Sequence, residues 1–358
     1  MKSNFLLSSV FKKELVDFFK NIALMVKSGI PLNESMTVLL QQTKNKTFRN
    51  FLEDLKTQLE HGSSLSKALE KYHAQIGDMA LNIIKAGEIN GTLDTNLKYL
   101  ADILTHNREL GQKINSALIY PKIVIGITFI VGGGISIFIL PKLIPLFKSL
   151  DVELPLATRI LLYISTFLQD HGIIAFTGVA IVFILFTISR KIPIFRWIYH
   201  TAAINMPFFG KLFRDYQLAL FNQIFGTLFR SGLTIKETLM ATSQAMTNVR
   251  YQKALTKATA RLTSGVPLAT ILGQYPKLFP KNVTALVAVG EQSGKLEETF
   301  TYLSTYYENE VEVQTKRLPT LLEPVILVLI GVVVGFIALA VIAPIYELTS
   351  GISKGKDM

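Results

Sequence analysis

Two glutamates, Glu88 and Glu291, are the residues of this sequence whose type and spacing could do chemistry. Each stands in a G-E-x-x-G-x-L segment, which covers Gly87–Leu93 in the first copy and Gly290–Leu296 in the second. A repeated carboxylate at a helix junction suits an acid or base in catalysis, a cap for backbone amides at the start of the next helix, or a contact for a partner protein. We favour the cap, because the glycines let the chain turn sharply between two helices. The structural or partner-contact candidates in the two copies are Gly87, Glu88, Gly91, Leu93, Gly290, Glu291, Gly294 and Leu296.

The second copy also has to be compared with a phosphate-binding loop, which requires G-x-x-x-x-G-K-[ST] after a strand. Here the two glycines are one residue too close, Leu296 follows Lys295, and a helix is predicted to precede the segment. The five histidines lack metal-ligand spacing, and the 358 residues include no cysteine that could act as a nucleophile or bind zinc. We therefore predict no catalytic residue, no cofactor, no metal site and no enzyme activity.

The two segments belong to a long internal repeat. They lie 203 residues apart (290 − 87), and the same offset relates identical residues on both sides of them. The matching pairs include Ser28-Gly29 with Ser231-Gly232, Glu34 with Glu237, Gln41 with Gln244, Tyr72 with Tyr275, and Pro121 with Pro324. A single offset over this length indicates a duplicated globular unit rather than a solenoid of short repeats.

Apolar residues recur at helical spacing in both copies. In the first copy they predict six helices, of which the first ends at Ser28-Gly29 and the third at His61-Gly62, where glycine can terminate a helix. The second copy has the same stripes and the same glycine stops, and neither copy alternates apolar and polar residues as a half-buried strand would. Each copy is therefore predicted to be a six-helix bundle in which every helix buries one stripe.

Three uncharged apolar blocks lie between and after the copies, at Ile123–Leu140, Gly172–Ser189 and Pro324–Tyr346. Each has about 18 residues or more, the length that crosses roughly 30 Å of hydrocarbon. A core helix of a soluble domain is the alternative, but helices this evenly apolar suit lipid, where each backbone group is bonded inside the helix. We therefore predict three transmembrane helices.

The residues that lead into the first and third blocks supply the remaining candidates, Pro121, Glu323 and Pro324. A carboxylate at the mouth of a span is either part of a functional site in the membrane or a marker of the interface. Glycines inside the blocks, in Gly132–Gly134 and in the Gly331-x-x-x-Gly335 pattern, would allow close packing of helices.

Basic residues beside the second block predict the orientation of the chain. Arg159 is the one basic residue between Ser149 and His171, whereas Arg190, Lys191 and Arg196 follow the block. The side after this span is therefore predicted to be cytoplasmic. Three spans then place both repeats in the cytoplasm.

The formal net charge of +11 points to an anionic partner. Residues 190–319 contain 16 basic and 8 acidic residues. Positive-inside bias with attraction to anionic membrane lipid accounts for this excess, and an acidic partner protein is the sharper hypothesis. We predict no direct contact with nucleic acid, because the basic residues are scattered and no aromatic-interleaved basic motif is present.

The predicted fold is an all-α membrane protein with two repeated six-helix cytoplasmic bundles and three transmembrane helices. Its segments are a loose basic leader (1–12), the first cytoplasmic helical repeat (13–117), transmembrane helix 1 (118–147), an exported-side loop (148–171), transmembrane helix 2 (172–189), a cytoplasmic linker (190–215), the second repeat (216–320), transmembrane helix 3 (321–346) and an exported-side tail (347–358).

In combination, these motifs resemble a known family. Both copies carry S-G-[IL] near the start and G-E-x-x-G-x-L near the end, and Tyr120-Pro121 or Glu323-Pro324 leads from each copy into a span. An L-P-x-x-T-R-x-L core runs from Leu154 to Leu161 after the first span. From about residue 14 to residue 346, the chain resembles the inner-membrane platform protein of type II secretion, type IV pilus and competence-pseudopilus machines.

The resemblance implies a non-enzymatic platform in the bacterial inner membrane, with most of the chain in the cytoplasm. The implied partners are a cytoplasmic hexameric assembly or secretion ATPase, pilin or pseudopilin subunits, and other inner-membrane assembly proteins; the platform would couple the ATPase to pilin extraction and fibre growth. A homo-oligomer, dimer or higher, is also implied. Many members contact the ATPase through a longer N-terminal segment, whereas the first helix here is predicted to start near Lys13, so this contact would be made otherwise.

Two other functions remain open from the residues alone. A small-solute transporter would have to act as an oligomer, because three spans are few and their interiors hold no charged residue. Flux into proteoliposomes would distinguish it from a platform. A membrane-bound hydrolase would use Glu88 and Glu291, although the sequence suggests no reaction for it.

Overall fold

The computed structural model describes residues 4–135, 156–189, 192–207, 209–262 and 265–354, and these residues contain helices but no strand. The helices of the first repeat are α1 (Asn4–Lys27), α2 (Leu32–Gln42), α3 (Lys46–Glu60), α4 (Leu65–Glu70), α5 (His73–Ile76), α6 (Asp78–Asn90) and α7 (Leu93–Ala117). The helices between the repeats are α8 (Ile119–Gly134), α9 (Leu156–Ser189) and α10 (Pro193–Asn205). The second repeat has α11 (Phe209–Arg230), α12 (Ile235–Ala245), α13 (Val249–Leu262), α14 (Leu268–Gly273), α15 (Lys281–Ser293) and α16 (Leu296–Lys354).

The helix bounds follow the offset found in the sequence. Adding 203 to the bounds of α2, α4 and α6 gives the bounds of α12, α14 and α15 without change, and α7 and α16 begin at matching leucines. The four-residue α5 has a turn as its counterpart in the second repeat. The two repeats therefore share one helical plan, with one short additional helix in the first.

The predicted loose leader is wrong, because α1 already begins at Asn4. Phe11 is buried, and its ring centroid lies 5.2 Å from that of Phe48 and 5.3 Å from that of Phe51 on α3. Phe11 and Leu15 extend, toward the N-terminus, the stripe of buried residues on α1 that includes Phe18 and Ile22. Charged residues between stripe positions do not interrupt a helical pattern, so the two lysines at positions 12 and 13 do not end it.

The chain forms two compact units. The repeat unit contains Met1–Gln112 and Trp197–Glu312, and the apolar unit contains Lys113–Arg196 and Val313–Met358. Within the repeat unit the two repeats contact each other, since α6 packs against α12 and His106 Nε2 lies 2.8 Å from Glu308 Oε2. The two repeats therefore form a single compact body.

Within the predicted linker (190–215), helix α10 (Pro193–Asn205) packs on the second repeat. The backbone amide of Val249, at the start of α13, donates to Nδ1 of His200 on α10 (3.1 Å). The side chain of Asn248 donates to the carbonyl of His200 (3.3 Å). This histidine therefore joins α10 to α13, a role that its lone position in the sequence did not indicate.

Within the described residues of the apolar unit and its connections, two helical stretches are long and apolar enough to cross a membrane, Leu93–Gly134 and Leu296–Leu339. The second predicted block lies in α9, which begins at Leu156 and is interrupted at His171 (φ −126°, ψ 23°). The predicted loop 148–171 is therefore helical from Leu156, where apolar residues recur at helical spacing. Residues 136–155 and 355–358, which include parts of the predicted first span, loop and tail, lie outside the described residues.

Candidate functional site

Gly87 and Gly290 lie where two helices of a repeat approach closely. A Cβ atom at either position would be 2.9 Å from the Cβ atom of Asn96 in the first repeat or of Thr299 in the second. Carbon atoms in contact are separated by about 3.5–4.0 Å, so a larger side chain does not fit without movement. The glycine therefore allows α6 to approach α7, and α15 to approach α16.

Gly91 and Gly294 have a different role, because they end a helix. Both adopt left-handed backbone conformations, with φ of 69° and 71°. The amides of Gly91 and Thr92 donate to the carbonyl of Gly87, and the second repeat makes the same bonds to Gly290. Helix α6 does not end at the first glycine of the segment, Gly87. It continues to Asn90, because only the second glycine of the segment takes the left-handed conformation that reverses the chain.

Glu88 and Glu291 cap a short helix that comes earlier in the same repeat. Glu88 accepts hydrogen bonds from the amide (3.1 Å) and the hydroxyl of Ser66, in the first turn of α4. Glu291 accepts from the amides of Leu268 (2.8 Å) and Ala269 (3.2 Å), in the first turn of α14. The carboxylates were expected to cap the helix that follows the junction. The structure corrects this, because tertiary packing brings the preceding short helix against them.

The two caps differ in how much each glutamate contributes. In α4 the hydroxyl of Ser64 also accepts from the amide of Lys67 (3.3 Å). The N-cap residue of α14 is Pro267, whose side chain makes no cap hydrogen bond. A negative charge near free backbone amides is stabilising. Glu291 is therefore the main side-chain cap of α14, whereas Glu88 and Ser64 together cap α4.

The G-E-x-x-G-x-L segment thus ties three helices of a repeat together at one point. The last residue of the segment starts the long helix: Leu296 is buried, and Leu93 is partly buried. Both oxygens of each carboxylate accept hydrogen bonds within their own repeat. The arrangement suits a structural junction. Its partners in the folded chain, such as Asn96 and Thr299, differ between the repeats and were not identifiable from the motif.

A basic face on α13 distinguishes the second repeat. We define it by Arg250, Lys253, Lys257 and Arg261, which recur at spacings of three and four residues and so lie on one side of the helix. The last three are exposed, and within the described residues none of the four forms an ion pair. The face is therefore a cationic surface whose charge is not neutralised by ion pairs with other described residues.

The corresponding helix of the first repeat carries balanced charges. On α3, Arg49 pairs with Glu53 (3.2 Å) and Lys56 with Glu60 (3.7 Å). Asp54 stands where the second repeat has Lys257. The two repeats therefore have the same fold but present different charges on the same helix face.

Asp54 is held by several donors. The hydroxyl of Tyr72 donates to it (2.8 Å), as do Lys71 Nζ (3.0 Å) and Gln58 Nε2 (3.0 Å). Burial raises the pKa of the Asp54 carboxyl, but the hydrogen bonds from Tyr72 and Lys71 outweigh burial and hold the pKa below its usual value. Burial together with the bond to Asp54 raises the pKa of Tyr72 to about 12. The cluster therefore joins α3 to the chain after α4.

In the apolar unit, α8 and α16 enclose a groove of about 400 Å³. Its walls include Val124, Ile127 and Val131 on α8, and Ile330, Val333 and Ile337 on α16. The polar atom of Thr128 in the groove donates to the carbonyl of Val124, in its own helix (2.9 Å). The groove thus offers an apolar surface without an unsatisfied side-chain donor among the described residues that line it.

The glycines of the apolar blocks do not produce the close packing that we expected. A Cβ atom at Gly132 would lie 3.6 Å from Ile337, which is an ordinary contact. A Cβ atom at Gly331 or Gly335 would meet nothing within 4 Å among the described residues. Gly132 therefore lines the groove instead of pressing two helices together.

The residues that precede the two apolar stretches, Pro121 in the first and Glu323-Pro324 in the second, lie at different places in their helices. Pro121 is buried in the first turn of α8, where its missing amide costs no helical hydrogen bond. Glu323 and Pro324 are exposed within α16, which runs through this point without interruption. The same sequence step therefore begins a new helix after the first repeat and continues an existing helix after the second.

Comparison with known families matches the chain to one description in both repeats. The family model described as "Type II secretion system (T2SS), protein F" matches residues 18–141 and residues 221–344. The two matches are separated by 203 residues at both ends (221 − 18 and 344 − 141), which is the offset of the internal repeat. The family unit is therefore one repeat together with the start of its apolar helix.

Several curated proteins are similar to almost the whole chain. The type IV pilus assembly protein PilC of Thermus thermophilus is 31% identical over 345 residues, which are 95% of this chain and 84% of the relative. PilC of Pseudomonas aeruginosa is 28% identical, covering 92% of this chain and 88% of the relative. The type II secretion system protein F of Xanthomonas campestris pv. campestris is 26% identical, covering 94% and 83%.

Proposed function

The chain belongs to the type II secretion system protein F family, and from this premise we propose that it is the inner-membrane platform on which a type IV pilus or a type II secretion pseudopilus is assembled. The observation that carries the proposal is the double match to the family, because it covers both repeats and their apolar helices. Relatives named for pilus assembly and for secretion both align over more than nine tenths of the chain. The platform is structural and catalyses no reaction of its own.

The proposed topology has three spans and two six-helix bundles on the cytoplasmic side of the bacterial inner membrane. Two described helical stretches support the first and third spans by length and apolar composition. The block Gly172–Ser189 supports the second. The basic residues Arg190, Lys191 and Arg196 after that block support the cytoplasmic placement.

The hexameric assembly ATPase is proposed to dock on the basic face of α13. Four cations on one side of a helix, without ion pairs among the described residues, favour an acidic surface on the partner. The balanced charges of α3 do not offer the same complementarity. The repeat unit is a single compact body, so force on α13 would be transmitted to both repeats.

The groove between α8 and α16 is the proposed contact for the apolar stems of pilin or pseudopilin subunits. A groove of about 400 Å³ with apolar walls can receive large side chains of a lipid-embedded helix. One wall belongs to α8, which follows the first repeat, and the other to α16, which begins within the second repeat and continues beyond it. A movement of the repeats would therefore change the groove that contacts the pilin. In this way the ATPase would be coupled to pilin extraction and fibre growth.

Retention of the cognate assembly ATPase by the full-length chain tests this function. The chain is reconstituted in nanodiscs of neutral lipid, so that attraction to anionic lipid does not contribute. We expect the ATPase to be retained by the wild-type chain and lost when Lys253→Glu and Lys257→Glu are combined. The matched control combines Lys46→Glu and Arg49→Glu, which makes the same change of charge on α3 and should leave retention unchanged.

Three results would contradict the proposal. Equal loss of the ATPase with the α3 control would mean that net charge, and not the face of α13, controls binding. Failure of the wild-type chain to retain the ATPase in either neutral or anionic nanodiscs would remove the coupling role. Hydrolysis of ATP by the purified chain alone would count against a purely structural platform.

A further inference from the structure

The two repeats contact each other through different faces. Helix α6 of the first repeat packs against α12 of the second, and Asn82 Nδ2 donates to Gln244 Oε1 (3.4 Å). Under the offset of 203 residues, α6 corresponds to α15, and α12 corresponds to α2. The ion pair of His106 with Glu308 joins the equivalent helices α7 and α16, but at the contact of α6 with α12 the first repeat uses its sixth helix and the second repeat uses its second helix. Such a head-to-tail contact differs from a two-fold contact, in which both partners use the same surface.

This mode of contact leaves the corresponding face of the second repeat uncovered. Ile83 on α6 is 1% exposed, whereas its counterpart Leu286 on α15 is 37% exposed. Ile103 on α7 is 0% exposed, whereas its counterpart Tyr306 on α16 is 41% exposed. The same surface is therefore covered in one repeat and open in the other. We call the uncovered surface the open face and define it by Leu286, Val289, Tyr302 and Tyr306.

The residues of the open face lie along one seam. Gly290 meets Thr299 at one end of the contact between α15 and α16, and Asn282 Nδ2 donates to the hydroxyl of Tyr307 (3.1 Å) at the other. Leu286 stands midway between Asn282 and Gly290 along α15 and is therefore level with the middle of this contact. The two tyrosines are one turn apart on α16, and their rings stack with centroids separated by 6.5 Å. Exposed tyrosine with apolar side chains is typical of protein interfaces.

The complementary surface is present on α2 of the first repeat. Gln41 is the counterpart of Gln244, which accepts the bond from Asn82, and it is exposed. Val38 is the counterpart of the buried Ala241 and remains partly exposed. Within the chain, α12 covers the α6 face of the first repeat. The counterpart of α12 is α2, and the counterpart of the α6 face is the open face. Each chain thus carries both the open face and a helix of the kind that covers such a face.

We propose that the open face of one chain binds α2 of a second copy of this chain, repeating between chains the contact that α6 makes with α12 within one chain. The occupant is inferred from the molecule itself, because the internal contact shows that these two kinds of surface fit each other. The surfaces are different, so each chain would bind two neighbours and the chains would close into a ring or continue in a row. The proposal goes beyond the platform function and does not depend on the identity of the ATPase.

Cysteine cross-linking of the full-length chain tests the proposal directly, because the chain has no cysteine. Ala285 and Gln41 are the counterparts of Asn82 and Gln244 (285 − 203 and 244 − 203), and both are exposed. Chains with Gln41→Cys are mixed in membranes with differently tagged chains that carry Ala285→Cys, and a short bifunctional maleimide is added. We expect a cross-link between the two kinds of chain and none between identical chains. A chain with both substitutions should give a ladder of dimers, trimers and larger species.

The internal contact supplies the positive control. A chain with Asn82→Cys and Gln244→Cys should cross-link within itself, which also reports that the repeat unit is folded. Leu286→Glu added to the Gln41→Cys, Ala285→Cys chain should reduce the ladder to the level of single-cysteine chains. The same Leu286→Glu should leave the internal Asn82–Gln244 cross-link intact.

Three outcomes would overturn the proposal. The first is cross-linking of Ala285→Cys chains to each other, which would indicate a two-fold contact. The second is a ladder that Leu286→Glu does not reduce. The third is an Ala285→Cys chain that cross-links only to an added ATPase or pilin and never to Gln41→Cys chains, because the open face would then belong to another partner.

Discussion

At the scale of single residues, the two glycines of the repeated segment have separate tasks. Gly87 and Gly290 provide space at a helix contact, whereas Gly91 and Gly294 provide a left-handed turn. The motif alone indicated a sharp turn but could not assign it, because helical and left-handed glycines look the same in a sequence. The contacts and the backbone angles of each glycine in the folded chain show which one provides space and which one provides the turn.

The space at Gly87 leads to the first prediction. Gly87→Ala should destabilise the chain by about 1–3 kcal/mol, because its Cβ atom would overlap Asn96 and force α6 away from α7. The matched control is Gly111→Ala on α7, where nothing lies within 4 Å among the described residues. The control should be neutral or stabilising by up to about 1 kcal/mol through helix propensity. Thermal unfolding of the full chain in detergent measures both, and equal melting temperatures would contradict the assignment.

The cluster around Asp54 leads to the second prediction. Tyr72→Phe removes one hydrogen bond to the carboxylate and should lower the stability at neutral pH by about 1 kcal/mol. Tyr275→Phe is the control, because the counterpart of Asp54 in that repeat is Lys257 and no hydrogen bond of the Tyr275 hydroxyl occurs among the described residues. The control should change the melting temperature less.

The direction of the pH dependence follows from the lowered pKa of Asp54. A carboxyl whose folded pKa lies below the unfolded value, here 3.8, contributes stability above that value and loses it as the pH falls through the folded pKa. The wild-type chain should therefore lose more stability than the Tyr72→Phe chain on acidification below about pH 4. Parallel melting curves of the two chains over this range would contradict the role of Asp54.

At the scale of helices, the repeats keep their bounds and change their surroundings. The short helices α4 and α14 have corresponding bounds, yet a serine assists the cap of α4 and a proline precedes α14. In the same way, α3 and α13 have the same position in the fold, but α3 pairs its charges and α13 leaves four cations free of ion pairs among the described residues. Duplication preserved the helical plan, whereas surface and cap residues diverged.

The difference between the caps leads to the third prediction. Glu291→Ala should cost about 1–2 kcal/mol, because α14 then has two amides without their side-chain acceptor. Glu88→Ala should cost less, because Ser64 continues to cap α4. Hydrogen exchange of the full chain in detergent should show faster exchange at Leu268 and Ala269 in the first variant. An equal increase at Ser66 in the second variant would mean that the two caps are equivalent.

At the scale of the whole molecule, the contact between repeats is unequal although the repeats are alike. The first repeat covers its α6 face within the chain, whereas the second repeat leaves the corresponding face open. The apolar helices form a compact unit of their own, which contains the apolar groove. An internal duplication has thus produced a chain whose two halves present different surfaces.

The proposed topology leads to the fourth prediction. Single cysteines at Arg49 and Lys257, both exposed on the repeats, should react with a membrane-impermeant maleimide only after the cells are lysed. A cysteine at Ser149, in the predicted exported-side loop, should react in spheroplasts. Labelling of either repeat in spheroplasts would place it outside the cytoplasm and would remove the proposed contact with the ATPase.

The sequence by itself determined the helical class, the duplication at a constant offset, the apolar blocks and the family. These properties depend on composition and periodicity, which are local or repeat along the chain. Tertiary structure alone decided that Glu88 caps α4, that Phe11 belongs to the core and that α6 faces α12. Periodicity shows which side of a helix is apolar but does not show which helix will cover it. Two nearly equivalent faces acquire different neighbours only when the repeats pack head to tail, so the open face on α15 and α16 could be found only in the folded chain.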